Sequence, residues 1–93
     1  LTSLAITKEP ENYRAYTIRA NAYIETARLE EALIDSGEAI RLNPFFGPAY
    51  NGRGSALEHM GKLEDARVDY RVGCLLGAGA SCQNHNRLEP AIP

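Results

Sequence analysis

The chain has 93 residues, enough for one small domain, and its 44% hydrophobic and 24% charged content is typical of a globular protein. The net charge of -2 argues against a basic nucleic-acid-binding surface and against electrostatic attachment to an anionic membrane. No apolar run approaches the ~20 residues of a membrane-spanning helix, and no signal peptide opens the sequence. We therefore expect a cytoplasmic protein that binds neither nucleic acid nor membrane.

Residues 1–9 have the pattern of the second half of a helix, because Leu1, Leu4 and Ala5 share one face at i, i+3 and i+4 spacing. We expect this segment to end a helical unit that begins upstream, and the chain to be a fragment of a longer protein. Pro10 follows, and the residue before a proline is disfavoured in a helix, so a turn is predicted here.

Apolar residues at helical spacing predict four helices separated by short turns. Their expected bounds are Tyr13–Glu25, Leu29–Leu42, Pro48–Met60 and Leu63–Leu76. A fifth, shorter helix is expected over Ser81–Leu88, with Ser81 as its N-cap. Two consecutive phenylalanines, Phe45 and Phe46, lie between the second and third helices, and at least one should pack between the helix pairs.

The strongest pattern in the sequence is an internal repeat with a period of 34 residues. When residues 13–46 are aligned with residues 47–80, nine positions are identical. The identical pairs are Ala15/Ala49, Tyr16/Tyr50, Arg19/Arg53, Ala22/Ala56, Leu29/Leu63, Glu30/Glu64, Ala32/Ala66, Asp35/Asp69 and Leu42/Leu76. A fixed period with helical patterning indicates stacked copies of one two-helix unit, in which neighbouring units bury each other's apolar faces.

Both copies resemble the tetratricopeptide repeat (TPR), whose pattern is W-x2-L-G-x2-Y, then A-x3-F, then P. The first copy reads Tyr16-x2-Arg19-Ala20-x2-Tyr23, Ala32-x3-Ser36 and Pro44. The second copy reads Tyr50-x2-Arg53-Gly54-x2-Leu57, Ala66-x3-Tyr70 and Ala78. Ser36 departs from the pattern where a large apolar residue is expected, and Ala78 departs where proline is expected.

The resemblance implies an all-α fold, a right-handed αα-superhelix of stacked antiparallel helix hairpins. It divides the chain into the C-terminal part of a preceding repeat (1–9), two repeats (13–46 and 47–80), and a short capping helix with a tail (81–93). The alternative for Ser81–Leu88 is the start of a third, degenerate repeat. It also implies a protein–protein interaction module that binds a peptide or helix in the concave groove formed by the first helices. The alternatives are a structural or oligomerisation segment that associates through exposed repeat ends, and an accessory region of an enzyme encoded elsewhere in the parent chain.

The resemblance also places particular side chains in the groove. Those expected from the first helix are Arg14, Thr17, Asn21 and Glu25, and those from the third helix are Asn51, Ser55, Glu58 and His59. Asn21 and Asn51 are candidates for binding a peptide backbone, because an amide side chain supplies both a donor and an acceptor. The alternative is an ordinary solvated helix face, since this set is polar, of mixed sign and without a large apolar patch.

The TPRs of co-chaperones hold acidic C-terminal tails in a carboxylate clamp of two asparagines, a lysine and an arginine spread over three first helices. The Arg and Asp positions of both copies resemble those of co-chaperone repeats. Asn21 fits one clamp position, but Thr17 replaces the lysine and Gly52 the second asparagine. In the other possible alignment, Ile18, Pro48 and Gly52 replace the asparagine, lysine and arginine. Neither alignment supplies the cationic part of the clamp, so chaperone-tail binding by this segment is not expected.

Each copy carries an arginine on its first helix and an aspartate on its second, namely Arg19 with Asp35 and Arg53 with Asp69. We predict an ion pair within each repeat, with the arginine stem packed beneath it. The alternative is two solvated charges that do not meet. If the pair is partly buried, losing one partner should cost more than the pair contributes net.

Two cysteines, Cys74 and Cys82, are too few for a disulfide framework. The preferred interpretation is a reducing compartment with Cys74 buried as a small apolar residue. A local bridge between the two cysteines, across the glycine-rich stretch, is the alternative. Cys82 and His85 form one ligand pair where structural zinc sites use two, so no metal site is expected. No nucleotide-binding or hydrolase motif occurs, and no catalytic residue or cofactor is expected.

Overall fold

The computed structural model describes residues 12–89, which form five α-helices and, within that range, no β-strand. The helices are α1 (Tyr13–Glu25), α2 (Leu29–Leu42), α3 (Gly47–His59), α4 (Leu63–Leu75) and α5 (Gly79–Leu88). The all-α prediction is confirmed, and α1 and α2 have the predicted bounds. Helix α3 begins and ends one residue earlier than predicted, and α4 ends one residue earlier. No helix within this range is long and apolar enough to cross a membrane. Residues 1–9, predicted to end a preceding repeat, lie outside the described residues, as does the end of the predicted tail, residues 90–93.

The helices form a stack of pairs in which each helix packs on the next. α1 packs on α2, α2 on α3, α3 on α4 and α4 on α5. In addition α1 contacts α3, and α3 contacts α5, whereas α2 and α4, both fully described, are not in contact. The first helices of successive pairs therefore lie side by side on the inner face of a curved stack, and the second helices lie outside. This is the architecture expected of an αα-superhelix.

Alanines form much of the contact surface between the helices. The completely buried alanines are Ala20, Ala32, Ala39, Ala49, Ala56 and Ala66. A one-carbon side chain lets two helix backbones approach closely, and interiors packed at this density tolerate added volume poorly. The identity of Ala32 and Ala66 in the repeat alignment therefore reflects one helix contact that is made twice.

Residues of complementary size replace each other at equivalent positions of the two repeats. In the second repeat the ring of Tyr70, which is 1% exposed, lies over Gly54, where a Cβ atom would come within 2.8 Å of two ring carbons. The equivalent residues of the first repeat are Ala20 and Ser36, both completely buried. The small side chain of Ser36 leaves room for the Cβ atom of Ala20, which explains how the first repeat departs from the family pattern at Ser36.

Both predicted ion pairs are present. Arg19 and Asp35 are joined by two hydrogen bonds of 2.6 and 2.9 Å, and Arg53 and Asp69 by two of 2.8 and 3.0 Å. The aspartate side chains are 3% and 7% exposed, and each guanidinium group also lies 5.7–5.8 Å from a tyrosine ring centroid on its own helix. The hydrogen bonds to the aspartates raise the pKa of both arginines. Each pair therefore ties the first helix of its repeat to the second.

The turns inside the two pairs have one backbone conformation but different residues. Ala27 has a φ of 62° and Gly61 a φ of 83°, both in the left-handed region that glycine occupies without a steric penalty. In the first turn the amide of Arg28 donates to the carbonyl of Tyr23 at 2.8 Å, and the second turn contains the equivalent bond at 2.9 Å. Both turns are Schellman motifs, so the backbone requires the left-handed residue whichever side chain is present.

This difference predicts opposite effects of two substitutions. Ala27→Gly should raise the free energy of unfolding by roughly 0.5–1 kcal/mol. Glycine removes the steric strain of an alanine in the left-handed region, and this gain is larger than the cost of the added conformational entropy of the unfolded chain. Gly61→Ala should lower it by about 1 kcal/mol, since only backbone strain changes where nothing lies within 4 Å of the Cβ position. Urea denaturation followed by circular dichroism measures both effects, and shifts of the same sign would contradict the prediction.

One of the two phenylalanines between the repeats packs, as predicted. Phe46 is half-buried, and its ring centroid lies 4.8 Å from that of Tyr13 in an edge-to-face arrangement. Phe45 is 77% exposed. The aromatic contact joins the start of α1 to the residue that precedes α3, and so helps to set the position of one repeat on the next.

The last helix begins two residues earlier than predicted, and the prediction that Ser81 caps it is wrong. Ala78 occupies the N-cap position, while Ser81 is completely buried and donates a hydrogen bond to the carbonyl oxygen of Tyr70 at 2.8 Å. The loop before α5 has three residues (76–78), whereas the loop before α3 has four (43–46). The shorter loop starts the helix earlier and turns Ser81 towards α4.

Cys74 and Cys82 form a disulfide bond between the last turn of α4 and the first turn of α5, with their Cα atoms 4.4 Å apart. The preferred prediction of a reduced, buried Cys74 is therefore wrong, and the alternative bridge is present. The early start of α5 accounts for the difference, because it places Cys82 inside the helix and opposite the end of α4. The bond also occupies the Cys82 sulfur, which removes it from the weak metal-ligand pair with His85.

Candidate functional site

The inner face is best defined between α3 and α5, where polar side chains from three helices meet. Nδ2 of Asn84 donates to Oδ1 of Asn51 at 3.0 Å. Arg87 donates two hydrogen bonds to the Glu58 carboxylate, at 2.7 and 2.9 Å, and one to Oδ1 of Asn84 at 3.2 Å. The hydroxyl of Tyr70 donates to the same carboxylate at 2.7 Å. These five residues form one connected set of hydrogen bonds, called the inner-face network below.

The inner-face network fixes the charge of its members. The hydrogen bonds from Arg87, together with that from Tyr70, lower the pKa of Glu58 against the opposing effect of burial. Burial, together with the hydrogen bond to Glu58, raises the pKa of Tyr70 well above its usual value. Glu58 is therefore ionised and Tyr70 neutral at neutral pH. Since the folded-state pKa of Glu58 is lowered, its stabilising contribution is present above the ordinary glutamate pKa and is lost as the pH falls through the lowered value.

An open cavity of about 460 Å³ lies beside the inner-face network. Its lining residues are Ser55, Glu58, His59, Tyr70, Asn84 and Arg87. Nδ1 of His59 lies 2.8 Å from the carbonyl oxygen of Ser55, which can only accept, so Nδ1 carries the proton. The volume falls within the roughly 300–1,000 Å³ of ligand pockets, and the walls offer both donors and acceptors.

Two predicted binding residues of α1 lie further along the inner face. Asn21 is exposed, and its Oδ1 atom is 3.4 Å from the position that a Cβ atom on Gly52 would take. Asn21 therefore lies against α3, next to the backbone of Gly52. Arg14, also exposed, lies over the rings of Tyr13 and Phe46, with its guanidinium carbon 5.4 and 5.2 Å from their centroids.

The prediction that Thr17 is exposed in the groove is wrong. Thr17 is 5% exposed, and its hydroxyl donates to the carbonyl oxygen of Tyr13 at 2.9 Å. The reason is that α1 packs against both α2 and α3, so less of its surface is open than a single packing face would leave. Glu25, near the end of α1, is exposed as expected.

The structure places Asn51, Ser55 and His59 along α3, with Asn21 of α1 beside Gly52. Arg14 lies at the start of α1, over Tyr13 and Phe46.

Sequence reasoning missed Asn84 and Arg87, because residues 81–88 were left open as a cap or the start of a degenerate third repeat and none of them was placed on the inner face. A signal was available, since Asn84 follows Asn51 by 33 residues, one short of the repeat period. Aligning a third copy with a shortened loop would have placed these residues on the inner face.

Comparison with known proteins agrees with this geometry. Residues 13–46, which form the first helix pair, match the family model of the tetratricopeptide repeat. The chain belongs to the tetratricopeptide repeat family. The second helix pair of this TPR chain repeats the first at a spacing of 34 residues, and α5 lies where the first helix of a further repeat would lie.

Three relatives illustrate what this TPR chain is similar to. It is 35% identical over 69 residues to Tetratricopeptide repeat protein 28 of Mus musculus, covering 74% of this chain and 3% of that protein. It is 30% identical over 70 residues to Heat shock protein STI1 of Saccharomyces cerevisiae, covering 75% and 12%. It is 34% identical over 71 residues to Hsp70-Hsp90 organizing protein 3 of Arabidopsis thaliana, covering 76% and 13%. The chain therefore spans 3–13% of the length of these relatives.

Proposed function

We propose that this TPR chain is a protein-interaction module whose inner face binds an extended peptide or a partner helix. The observation that carries the proposal is the inner-face network with its adjacent cavity, where donors and acceptors from successive helices converge on one concave surface. Amide and hydroxyl groups of this kind suit pairing with a peptide backbone. The proposed contact residues are Arg14, Asn21, Asn51, Ser55, His59 and Asn84.

The chemistry of the inner face argues against one class of partner. One relative is named for organising Hsp70 and Hsp90, and co-chaperone repeats bind acidic tails through a cationic clamp. At two clamp positions this chain has Thr17 and Gly52, both buried, and Arg87 is already paired with Glu58. We therefore propose a polar peptide or helix rather than an acidic chaperone tail as the partner, and we propose no catalytic role and no cofactor.

Two further expectations stay predictions. Self-association through the Leu1–Ile6 end concerns residues outside those described, and light scattering across a range of concentrations tests it, because a groove binder should remain monomeric. The second is the predicted cytoplasmic location, and the Cys74–Cys82 bond argues against it, since disulfides are typical of oxidising compartments.

The binding proposal is tested with a peptide selected against the intact, oxidised chain from a displayed random library. Its affinity for the parent is compared by calorimetry with that for Asn21→Ala/Ser55→Ala. Each lost hydrogen bond should remove about 0.5–1.5 kcal/mol, so the double variant should bind roughly tenfold to a hundredfold more weakly. Asn51→Ala is less informative alone, because it also removes the bond to Asn84.

Asn86→Ala is the matched control. Asn86 is exposed and lies two residues after Asn84, which places it about 200° around α5 and away from the inner face. The control should bind the peptide with the affinity of the parent, and the circular dichroism of all variants should match. Equal affinity for Asn21→Ala/Ser55→Ala and the parent, or equal weakening by Asn86→Ala, would refute the groove assignment.

A further inference from the structure

The helix that completes the inner face is only weakly anchored by packing. α5 has ten residues, and Ser81 is its one fully buried residue, held by a hydrogen bond to the backbone of α4. No apolar side chain of α5 is fully buried, in contrast to the buried alanines of α2 and α3. The hydrophobic contribution to the docking of α5 is therefore small, because it follows the apolar area removed from water.

A covalent bond supplements this packing. The Cys74–Cys82 disulfide joins α4 to α5 across a separation of eight residues. Both cysteines are half-buried rather than enclosed, so a small thiol can reach the bond from solvent. The fourth residue of α5 is thus fixed to α4 whatever the noncovalent contacts of the helix do.

The same helix delivers Asn84 and Arg87 to the inner-face network. The hydrogen bond between Asn84 and Asn51, and the two hydrogen bonds from Arg87 to Glu58, exist only while α5 lies against α3. Undocking of α5 would release both residues, open one side of the cavity and leave Glu58 without its cation. The position of α5 thus determines one of the six proposed contact residues, Asn84, and two of the six residues that line the cavity.

We propose that the Cys74–Cys82 disulfide is a redox switch for the groove. The oxidised form holds α5 against α3 and keeps the contact surface assembled, and reduction loosens α5. This inference rests on the proposed binding function and concerns its regulation. The co-reactant is a dithiol reductant. One thiolate of the reductant attacks a cysteine sulfur, the sulfur–sulfur bond breaks, and the other cysteine leaves as a thiolate that takes up a proton. The second thiol of the reductant then displaces the first cysteine, so two electrons and two protons pass to the protein and the reductant becomes a disulfide.

The first test needs no partner. Amide hydrogen exchange is measured by mass spectrometry on the intact chain, oxidised and then reduced with dithiothreitol. Loss of the loop constraint should make the amides of α5 exchange roughly tenfold to a hundredfold faster. The amides of α1 and α2 should be unaffected and serve as the internal reference. Unchanged protection of α5 on reduction would overturn the proposal.

A variant separates the bond from other effects of the reductant. Cys74→Ser/Cys82→Ser should exchange in α5 as the reduced parent does, with or without dithiothreitol. If dithiothreitol still accelerates exchange in this variant, the disulfide is not the cause and the proposal fails. A disulfide that remains intact in excess reduced glutathione would also overturn the proposal, because the bond would then be purely structural.

The second test uses the peptide selected against the oxidised chain. Reduction should weaken its binding to the parent by roughly fivefold or more and should not change its binding to the serine variant. Equal affinity for the oxidised and reduced parent would refute redox control of the groove. If no peptide binds either state, the proposed binding function fails by itself, and the exchange experiment still decides whether the disulfide controls the docking of α5.

Discussion

Arg19→Met should lower the free energy of unfolding by about 3 kcal/mol. Methionine retains much of the apolar stem, so the main loss is the guanidinium group. The carboxylate of Asp35, whose side chain is 3% exposed, is then left without its cation where water cannot replace it. An uncompensated buried charge costs about 3–5 kcal/mol, and the lower end applies because Arg19 itself is 24% exposed. Urea denaturation followed by circular dichroism measures the change.

Removing both charges provides the control for this prediction. Arg19→Met/Asp35→Leu should recover at least half of the loss, because an apolar pair of similar volume leaves no charge buried. Arg53→Met is the matched change in the second repeat and should cost slightly less, since Arg53 and Asp69 are more exposed, at 34% and 7%. A cost below about 1 kcal/mol for Arg19→Met would show that the pair behaves as an exposed surface ion pair.

Tyr70→Ser should be the most destabilising single change, at about 3–5 kcal/mol, because it empties the space of a buried ring and removes the hydrogen bond to Glu58. Gly54→Ala should cost about 1–3 kcal/mol, since its Cβ atom would come within 2.8 Å of that ring and 3.2 Å of the carbonyl oxygen of Ala66. Both values follow from urea denaturation of the single variants.

The double variant decides whether the two residues are coupled. In Gly54→Ala/Tyr70→Ser, the added methyl group should cost nothing or stabilise, because the pair then reproduces Ala20 and Ser36 of the first repeat. Gly37→Ala is the control for helix propensity, since nothing lies within 4 Å of its Cβ position, and it should stabilise by roughly 0.5–1 kcal/mol. Additive losses in the double variant would show that the ring does not press on residue 54.

Most of what could be predicted from the sequence came from the alignment of its two repeats. Identical residues at a fixed spacing indicate contacts that are made twice, so the bounds of α1 and α2 and both Arg–Asp pairs could be predicted from the sequence. The coupling of Ser36 to Ala20 did not follow. Each residue alone is only a departure from a pattern, and the compensation is visible only when the ring of Tyr70 is seen over Gly54.

The end of the chain was harder to predict, because α4 and the loop after it are each one residue shorter than α2 and its loop. Together they start α5 two residues early, and each residue gained or lost moves a side chain by about 100° around its helix. That shift buries Ser81, brings Cys82 to Cys74 and aims Asn84 and Arg87 at α3. Thr17 was placed wrongly for a related reason, since a pattern in one helix does not reveal how many neighbours cover it.

The spacing between successive inner helices changes at the end of the stack. Helices α1 and α3 begin 34 residues apart, but α3 and α5 begin 32 apart, because α4 and the loop after it are each one residue shorter than α2 and its loop. Ser81, the third residue of α5, is nevertheless buried as Ala49, the third residue of α3, is. Counting from the start of each helix, and not by a fixed period, therefore identifies which residues of α5 occupy equivalent positions.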